Sequence, residues 1–284
     1  MAQIIQLNPD FWRDYVESRE RSLRREQVAT GKKWDKIAGH YHKFEDDDDF
    51  VEEQQWLTAE MQRRGMLGGD IHLLDMACGP GTHCFTFADR CARVTAVDVS
   101  PKMIAELKRR QIERNLDNLE VVNRDFYEFA PNDTYDTVFV SMSPILNQLA
   151  SVDRLLALSR RYLMLGYWAG VRENPIFNHC YRQIYKDEYQ WDAMDVTTIF
   201  NYLYSLGYSP EITYRHPVWK RSGNLDETIE HLLWHLEFYR PLTAAEQQLV
   251  RAEVAALADD SGQVTYHTRV RKGFLFLDRE AGRG

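Results

Sequence analysis

Three aspartates in the first half of the chain stand at the ends of short apolar runs. Asp75 lies at the end of Ile71 to Met76, in the stretch LDMACGPGT; Asp98 closes Val94 to Val97; Asp125 follows Leu119 to Val122, in VVNRDF. Behind the first run come Gly79 and Gly81, with Pro80 between them. If the runs are buried strands of an open α/β sheet, ligands collect outside their carboxyl ends, where strand order reverses. Glycines there let the backbone approach a ligand with no Cβ in the way, and a helix starting near Thr82 turns free N–H groups to the same crevice. Asp98, 19 residues beyond Gly79, is in register to grip two ribose hydroxyls. Three acids converging on a collar without side chains suit a positively charged ligand.

The turn itself argues against two common alternatives. A dinucleotide site requires G-x-G-x-x-G with the pyrophosphate on a helix N-terminus, and here Cys84 stands where the third glycine belongs. No lysine follows in the manner of a G-K-[ST] phosphate loop. The middle of the ligand therefore need not be an anion, and a nicotinamide-dependent oxidoreductase is disfavoured.

The elements that must position these acids follow from periodicity. Asn8 to about Arg64 reads as helices, on stripes such as Phe11, Trp12, Tyr15 and Trp34, Ile37, Ala38, Tyr41. From Ile71 strands and helices alternate. Strands are expected at Ile71–Met76, Val94–Val97, Leu119–Val122, Asp136–Met142 and Leu163–Trp168, with helices at Thr82–Arg90, from Pro101 to about Asn115 and at Val152–Arg160. Ser100 and Pro101 open the second of these helices as N-cap and first helical residue. After Gly170 the reading gives helices near 177–189, 197–206, 225–239 and 243–257, an antiparallel edge strand at Glu211–Val218 and a last strand at Thr265–Leu277. The fold class is α/β, a doubly wound, mostly parallel sheet with N-terminal helices and a helical insertion near the C-terminus.

LDMACGPG, VTAVDVSPKMI, VVNRDF and YDTVFVSMSP occur in this order over about Trp34 to Trp168. Together they resemble the class I S-adenosylmethionine-dependent methyltransferases, of the small-molecule type. The resemblance implies a Rossmann-like sheet of seven strands with the last antiparallel. It also implies a division into an N-terminal helical cap or lid (1–66) and a methyltransferase domain (67–284) whose helical insertion covers about 222–260. S-adenosylmethionine would be the cofactor and S-adenosylhomocysteine the product. Asp75 would orient the turn near the methionine amino group, and Ala77, Gly79 and Gly81 would line the methionyl and ribose portion. Asp98 would take the ribose hydroxyls with Val99 on the adenine. Asp125 would accept from the adenine amine beside Phe126, and Ser141, Met142 and Ser143 would border the sulfonium methyl. Cys78 and Met103 are counted with this cofactor set, and the segment around Trp34 and Tyr41 resembles a helix that caps the cofactor carboxylate.

Methyl transfer from a sulfonium is an in-line displacement that needs alignment and dryness, and a base only where the acceptor carries a proton. After the fourth strand the chain reads SMSPILN, without the N-P-P-[YF] of enzymes that methylate planar amide or base nitrogens. A small-molecule acceptor is the expectation. His40, Tyr41, His179 and Tyr181 are the candidate catalytic residues, drawn from aromatic and histidine-rich segments outside the core. His231 and His235 have the i, i+4 spacing of two metal ligands, but no third ligand is evident, and no metal is expected.

Across 284 residues the net charge is −8, with 44% hydrophobic and 27% charged residues, which disfavours a general binder of phosphate backbones. No nucleic-acid partner is expected. Nor is a membrane span or secretory leader expected, and the four cysteines form no CxxC pair, so reduced thiols and a cytoplasmic location are expected. A monomer or homodimer is anticipated. The alternative in another class is a non-catalytic S-adenosylmethionine-binding module used for regulation or scaffolding.

Overall fold

The computed structural model describes residues 8–19, 31–36, 38, 48–188 and 194–281. His40 and Tyr41 lie outside the described residues. Among the described residues three helices precede the sheet: α1 (Pro9–Arg19), α2 (Gly31–Asp35) and α3 (Asp48–Arg63). Then β1 (His72–Met76), α4 (Cys84–Ala88), β2 (Arg93–Asp98), α5 (Pro101–Arg114), β3 (Leu119–Asn123) and β4 (Tyr135–Ser141) alternate. A 3-10 turn (Pro144–Asn147) leads to α6 (Leu149–Leu158), β5 (Ser159–Glu173), α7 (Pro175–Tyr185) and α8 (Val196–Ser205). The tail comprises β6 (Glu211–Arg215), β7 (Val218–Asn224), α9 (Leu225–Leu236), α10 (Ala244–Ala255) and β8 (Gln263–Asp278).

The sheet runs in the order β3-β2-β1-β4-β5-β8-β6, with β7 also on β8. The strands β1 to β5 are parallel and β8 is antiparallel to β5. Among the described residues eight strands form where seven were expected, because the run Glu211–Val218 is not one strand. Pro217 has no N–H for a ladder, and the chain breaks around it into β6 and β7. Both pair antiparallel with β8, β6 along 272–276 and β7 along 263–269.

Burial on both faces explains the near-continuous apolar reading of the parallel strands. Leu155, Tyr202 and Leu275 belong to the cluster that holds α6 and α8 on one face. Met61, Phe87, Leu107 and Phe139 belong to the cluster under α3, α4 and α5 on the other. A third cluster, with Ile176, Leu232, Val250 and Val264, packs α7, α9 and α10 on the outer half of β8. The switch point, where β1 has β2 on one side and β4 on the other, opens between the first two clusters.

Candidate functional site

The turn after β1 stays tight through left-handed backbone. Ala77, Gly79 and Gly81 have φ of 60°, 56° and 89°. Cys78 N–H donates to Val97 O at 3.1 Å, and Gly81 N–H to Cys78 O at 3.2 Å. The two glycines serve different ends. A Cβ on Gly79 would meet nothing within 4 Å, so this face of the turn is open for a ligand. A Cβ on Gly81 would stand 2.9 Å from Leu107 Cγ, so Gly81 is where α5 closes on the turn.

Asp98 ends β2 with its side chain almost buried. Its carboxylate accepts Gly79 N–H at 2.9 Å and Ser100 N–H at 2.8 Å. Burial pushes its pKa up, and the backbone donors oppose that shift. Asp125 follows β3 and accepts Tyr127 N–H at 2.8 Å, which folds the loop back on itself. Asp75 departs from the expectation. It lies 2% exposed beneath the turn and accepts the Cys84 thiol at 3.1 Å. Burial, with a smaller contribution from Asp98, pushes it up to about 7. Two acids face the crevice, not three, because alternation along β1 turns Asp75 away when Met76 points in.

The crevice has a volume of about 730 Å³, counting its open mouth. Of the residues expected to hold a cofactor, Trp34, Ala77, Gly79, Asp98 and Val99 line it, as do Met103, Asp125, Phe126, Ser141 and Met142. Asp75, Cys78 and Gly81 do not. Cys78 is buried, with its thiol 3.6 Å from Gly79 O. Several lining residues were not anticipated: Met76, Val97, Arg124, Tyr127, Pro144 and Ile145. Met76 and Val97 follow from strand parity, which puts alternate residues of β1 and β2 on one side. Met142 carries φ 53°, uncommon for a residue with a side chain, and its N–H donates to Gly166 O at 2.8 Å. No residue type at that position signals it.

Trp34 enters from α2, which sits on the N-terminus of α5. Ser100 Oγ donates to Asp35 at 2.7 Å and Lys102 N–H at 3.1 Å. The Trp34 ring lies 5.4 Å from Trp234 and 6.0 Å from Phe238, so α9 abuts this wall of the crevice.

Neither described catalytic candidate lines the crevice. His179 Nε2 lies 3.3 Å from a Glu253 carboxylate oxygen, between α7 and α10. Tyr181 is 4% exposed and packs on Tyr185 and Tyr239. Both belong to the helical layer, where aromatic mass at helical spacing is packing. His231 and His235 on α9 each turn Nε2 to an arginine, Arg221 at 3.3 Å and Arg172 at 3.4 Å.

Residues 73–166 match a family described as "Methyltransferase domain". Cypemycin N-terminal methyltransferase of Streptomyces sp is 35% identical over 69 residues, 24% of this chain and 27% of that protein. Trans-aconitate 2-methyltransferase of Shigella dysenteriae is 25% identical over 216 residues, 70% of this chain and 81% of that protein. The chain spans 27% to 45% of the length of three curated relatives that it matches. A crystal structure of a methyltransferase from Bacillus halodurans, itself assigned as putative, superposes with a TM-score of 0.51 at 14% identity, over 78% of this chain and 98% of that one. The match over 73–166 makes this part of the chain a methyltransferase domain, and the glycine turn, the acid at the end of β2 and the strand order are the features by which it resembles the class I S-adenosylmethionine-dependent methyltransferases.

Proposed function

We propose that the protein transfers the methyl group of S-adenosylmethionine to a small-molecule acceptor by in-line displacement. One observation carries the reading. The crevice joins two carboxylates, Asp98 and Asp125, to a wall at Gly79 that carries no side chain and to apolar walls at Val99, Met103 and Ile145. Among the described residues its one lining cation is Arg124, whose side chain is exposed and lies 4.0 Å from Glu128. Such a surface fits a cationic nucleoside better than a pyrophosphate.

In this reading Asp98 takes the ribose hydroxyls and Asp125 the adenine amine. Val99, Met103 and Phe126 flank the ring, and Ala77 and Gly79 lie along the methionyl arm. Ser141 and Met142 border the reacting centre. Bound there, S-adenosylmethionine supplies an electrophilic methyl on a good leaving group. The chain's part is to align the two reactants and to exclude water. Trp34 shields one wall as part of the N-terminal cap proposed for residues 1–66. The acidic net charge favours a small acceptor over a nucleic acid. Trans-aconitate 2-methyltransferase, one of the relatives, acts by its name on a small molecule. No helix among the described residues is long and apolar enough to cross a membrane. A cytoplasmic monomer or homodimer is the proposed setting.

Calorimetry with S-adenosylmethionine, S-adenosylhomocysteine and NAD tests the cofactor. Release of S-adenosylhomocysteine is then screened with small amines, phenols and acids against RNA, DNA and peptides. Binding of the two nucleosides without NAD, and turnover on a small molecule, is the expected result. Turnover confined to RNA, DNA or peptide overturns the acceptor class.

A further inference from the structure

Helix α2 is five residues long, too short to keep its shape in water by itself, so its place depends on what it touches. Gly31, Trp34 and Asp35 stand at i, i+3 and i+4, on one face. That face lies on the junction between β2 and α5. A Cβ on Gly31 would stand 2.7 Å from Val99 O and 3.4 Å from Ser100 Cα, so the helix sits on the Val99–Ser100 backbone at a distance that only glycine allows. Val99 and Trp34 both line the crevice.

Asp35 completes the start of α5. Pro101 brings no N–H there. Met103 N–H donates to Ser100 Oγ at 3.2 Å, and Ile104 N–H to Ser100 O at 3.1 Å. Lys102 N–H donates to Asp35 Oδ1 at 3.1 Å, and the Ser100 hydroxyl donates to the same oxygen at 2.7 Å. A hydroxyl on a carboxylate is among the stronger hydrogen bonds, and the helix dipole favours negative charge at this end. Ser100 is fully buried, and its own N–H donates to Asp98, which also takes Gly79 N–H. A chain of hydrogen bonds thus runs from Asp35 through Ser100 and Asp98 to the glycine turn. Charge links the same groups: burial first, and then the Asp35 carboxylate, push Asp98 up against its backbone donors. Hydroxyl donors on Asp98 ease that repulsion, so a nucleoside in the crevice and α2 on its seat favour each other.

We propose that Asp35 is the latch that holds α2, and with it Trp34, against the bound nucleoside, so that product leaves when Asp35 lets go of Ser100 and Lys102. The proposal rests on the nucleoside-binding reading of the crevice. Asp35 does not line the crevice and acts through Ser100 and Trp34, as a positioning residue whose effect is on release. Trp34 also meets Trp234 at 5.4 Å and Phe238 at 6.0 Å, so undocking parts the crevice wall from α9 as well.

The test uses the full chain as wild type, Asp35→Ala, Asp35→Asn and Gly31→Ala. Dissociation of S-adenosylhomocysteine is followed by stopped-flow tryptophan fluorescence, with excess S-adenosylmethionine as the chase. Asp35→Ala removes the latch and Gly31→Ala wedges the helix off its seat. Both are expected to speed release at least about tenfold, with urea midpoints close to wild type. Asp35→Asn keeps a neutral acceptor and is expected to fall between. Release at the wild-type rate from Asp35→Ala and Gly31→Ala overturns the proposal, and a lowered urea midpoint with release unchanged makes Asp35 a structural residue, which overturns it too. Hydrogen exchange at Lys102 N–H in the nucleoside-free chain reads docking by itself. A wild type that binds neither nucleoside strikes the methyl-transfer reading. Exchange then decides the docking alone: protection lost in Asp35→Ala upholds it, and equal exchange overturns it.

Discussion

The carboxylate of Asp98 holds the N–H of Gly79 at 2.9 Å, across the gap between the ends of β2 and β1. Its other oxygen takes Ser100 N–H at 2.8 Å, and Ser100 in turn caps α5 by accepting Met103 N–H. One acid thus ties the glycine turn to the start of the next helix. The crevice wall is shaped by the same group that is proposed to receive the ribose, so fold and binding depend on a single side chain.

Asp98→Ala is therefore expected to act twice. Two backbone N–H groups lose their acceptor, which costs about 1–3 kcal/mol apiece where they stay dry. Affinity for S-adenosylhomocysteine should fall at least about tenfold with the loss of charged hydrogen bonds. Urea unfolding and calorimetry on the same variant check both effects. Unchanged affinity in a folded variant would remove Asp98 from the proposed site.

The two glycines of the turn separate binding from packing. Gly79→Ala must adopt φ 56°, at about 1–2 kcal/mol, but its methyl enters open space on the crevice side. Its main effect is expected on nucleoside affinity. Gly81→Ala has φ 89° and a methyl 2.9 Å from Leu107 Cγ, so its main effect is expected on stability. Melting temperature and nucleoside affinity, measured on both variants, should rank them in opposite orders.

Much of this was legible because local and tertiary demands agreed. Ser100 and Pro101 mark the start of α5, and Asn115 ends it in the left-handed conformation. The apolar runs of β1 to β4 are strands because both faces are buried. Parity on β1 could have corrected Asp75, since neighbours in a strand point to opposite faces. The break at Pro217 was missed because the sequence alternates on both sides of it. The contact of Asp35 with Ser100 was out of reach, since no local pattern marks a pairing 65 residues apart.

A buried ion pair joins α3 to β8. The Lys272 ammonium donates to Glu53, with side chains 6% and 11% exposed. Burial pulls the lysine's pKa down while Glu53 opposes it. Lys272→Met leaves a buried carboxylate alone and should destabilise by about 3–5 kcal/mol. The double variant Lys272→Met, Glu53→Leu removes both charges and should recover most of that loss. A double-mutant cycle by urea unfolding reads the coupling, and additive losses would show that the pair does not interact.

Asp75 makes stability depend on pH with a definite sign. Its pKa is about 7 in the folded chain against 3.8 for an ordinary aspartate, chiefly because burial disfavours the charge. The folded state thus holds the proton more tightly than the unfolded one. The favourable contribution is complete below about pH 4 and is lost as pH rises toward 7, by as much as about 4 kcal/mol. Asp75→Asn cannot ionise and can still accept the Cys84 thiol. Stability of the variant should be flatter from pH 4 to 7 and higher than wild type at pH 8. Urea midpoints measured across that range for both proteins decide it: parallel pH profiles would mean that Asp75 ionises in the folded state as it does in water.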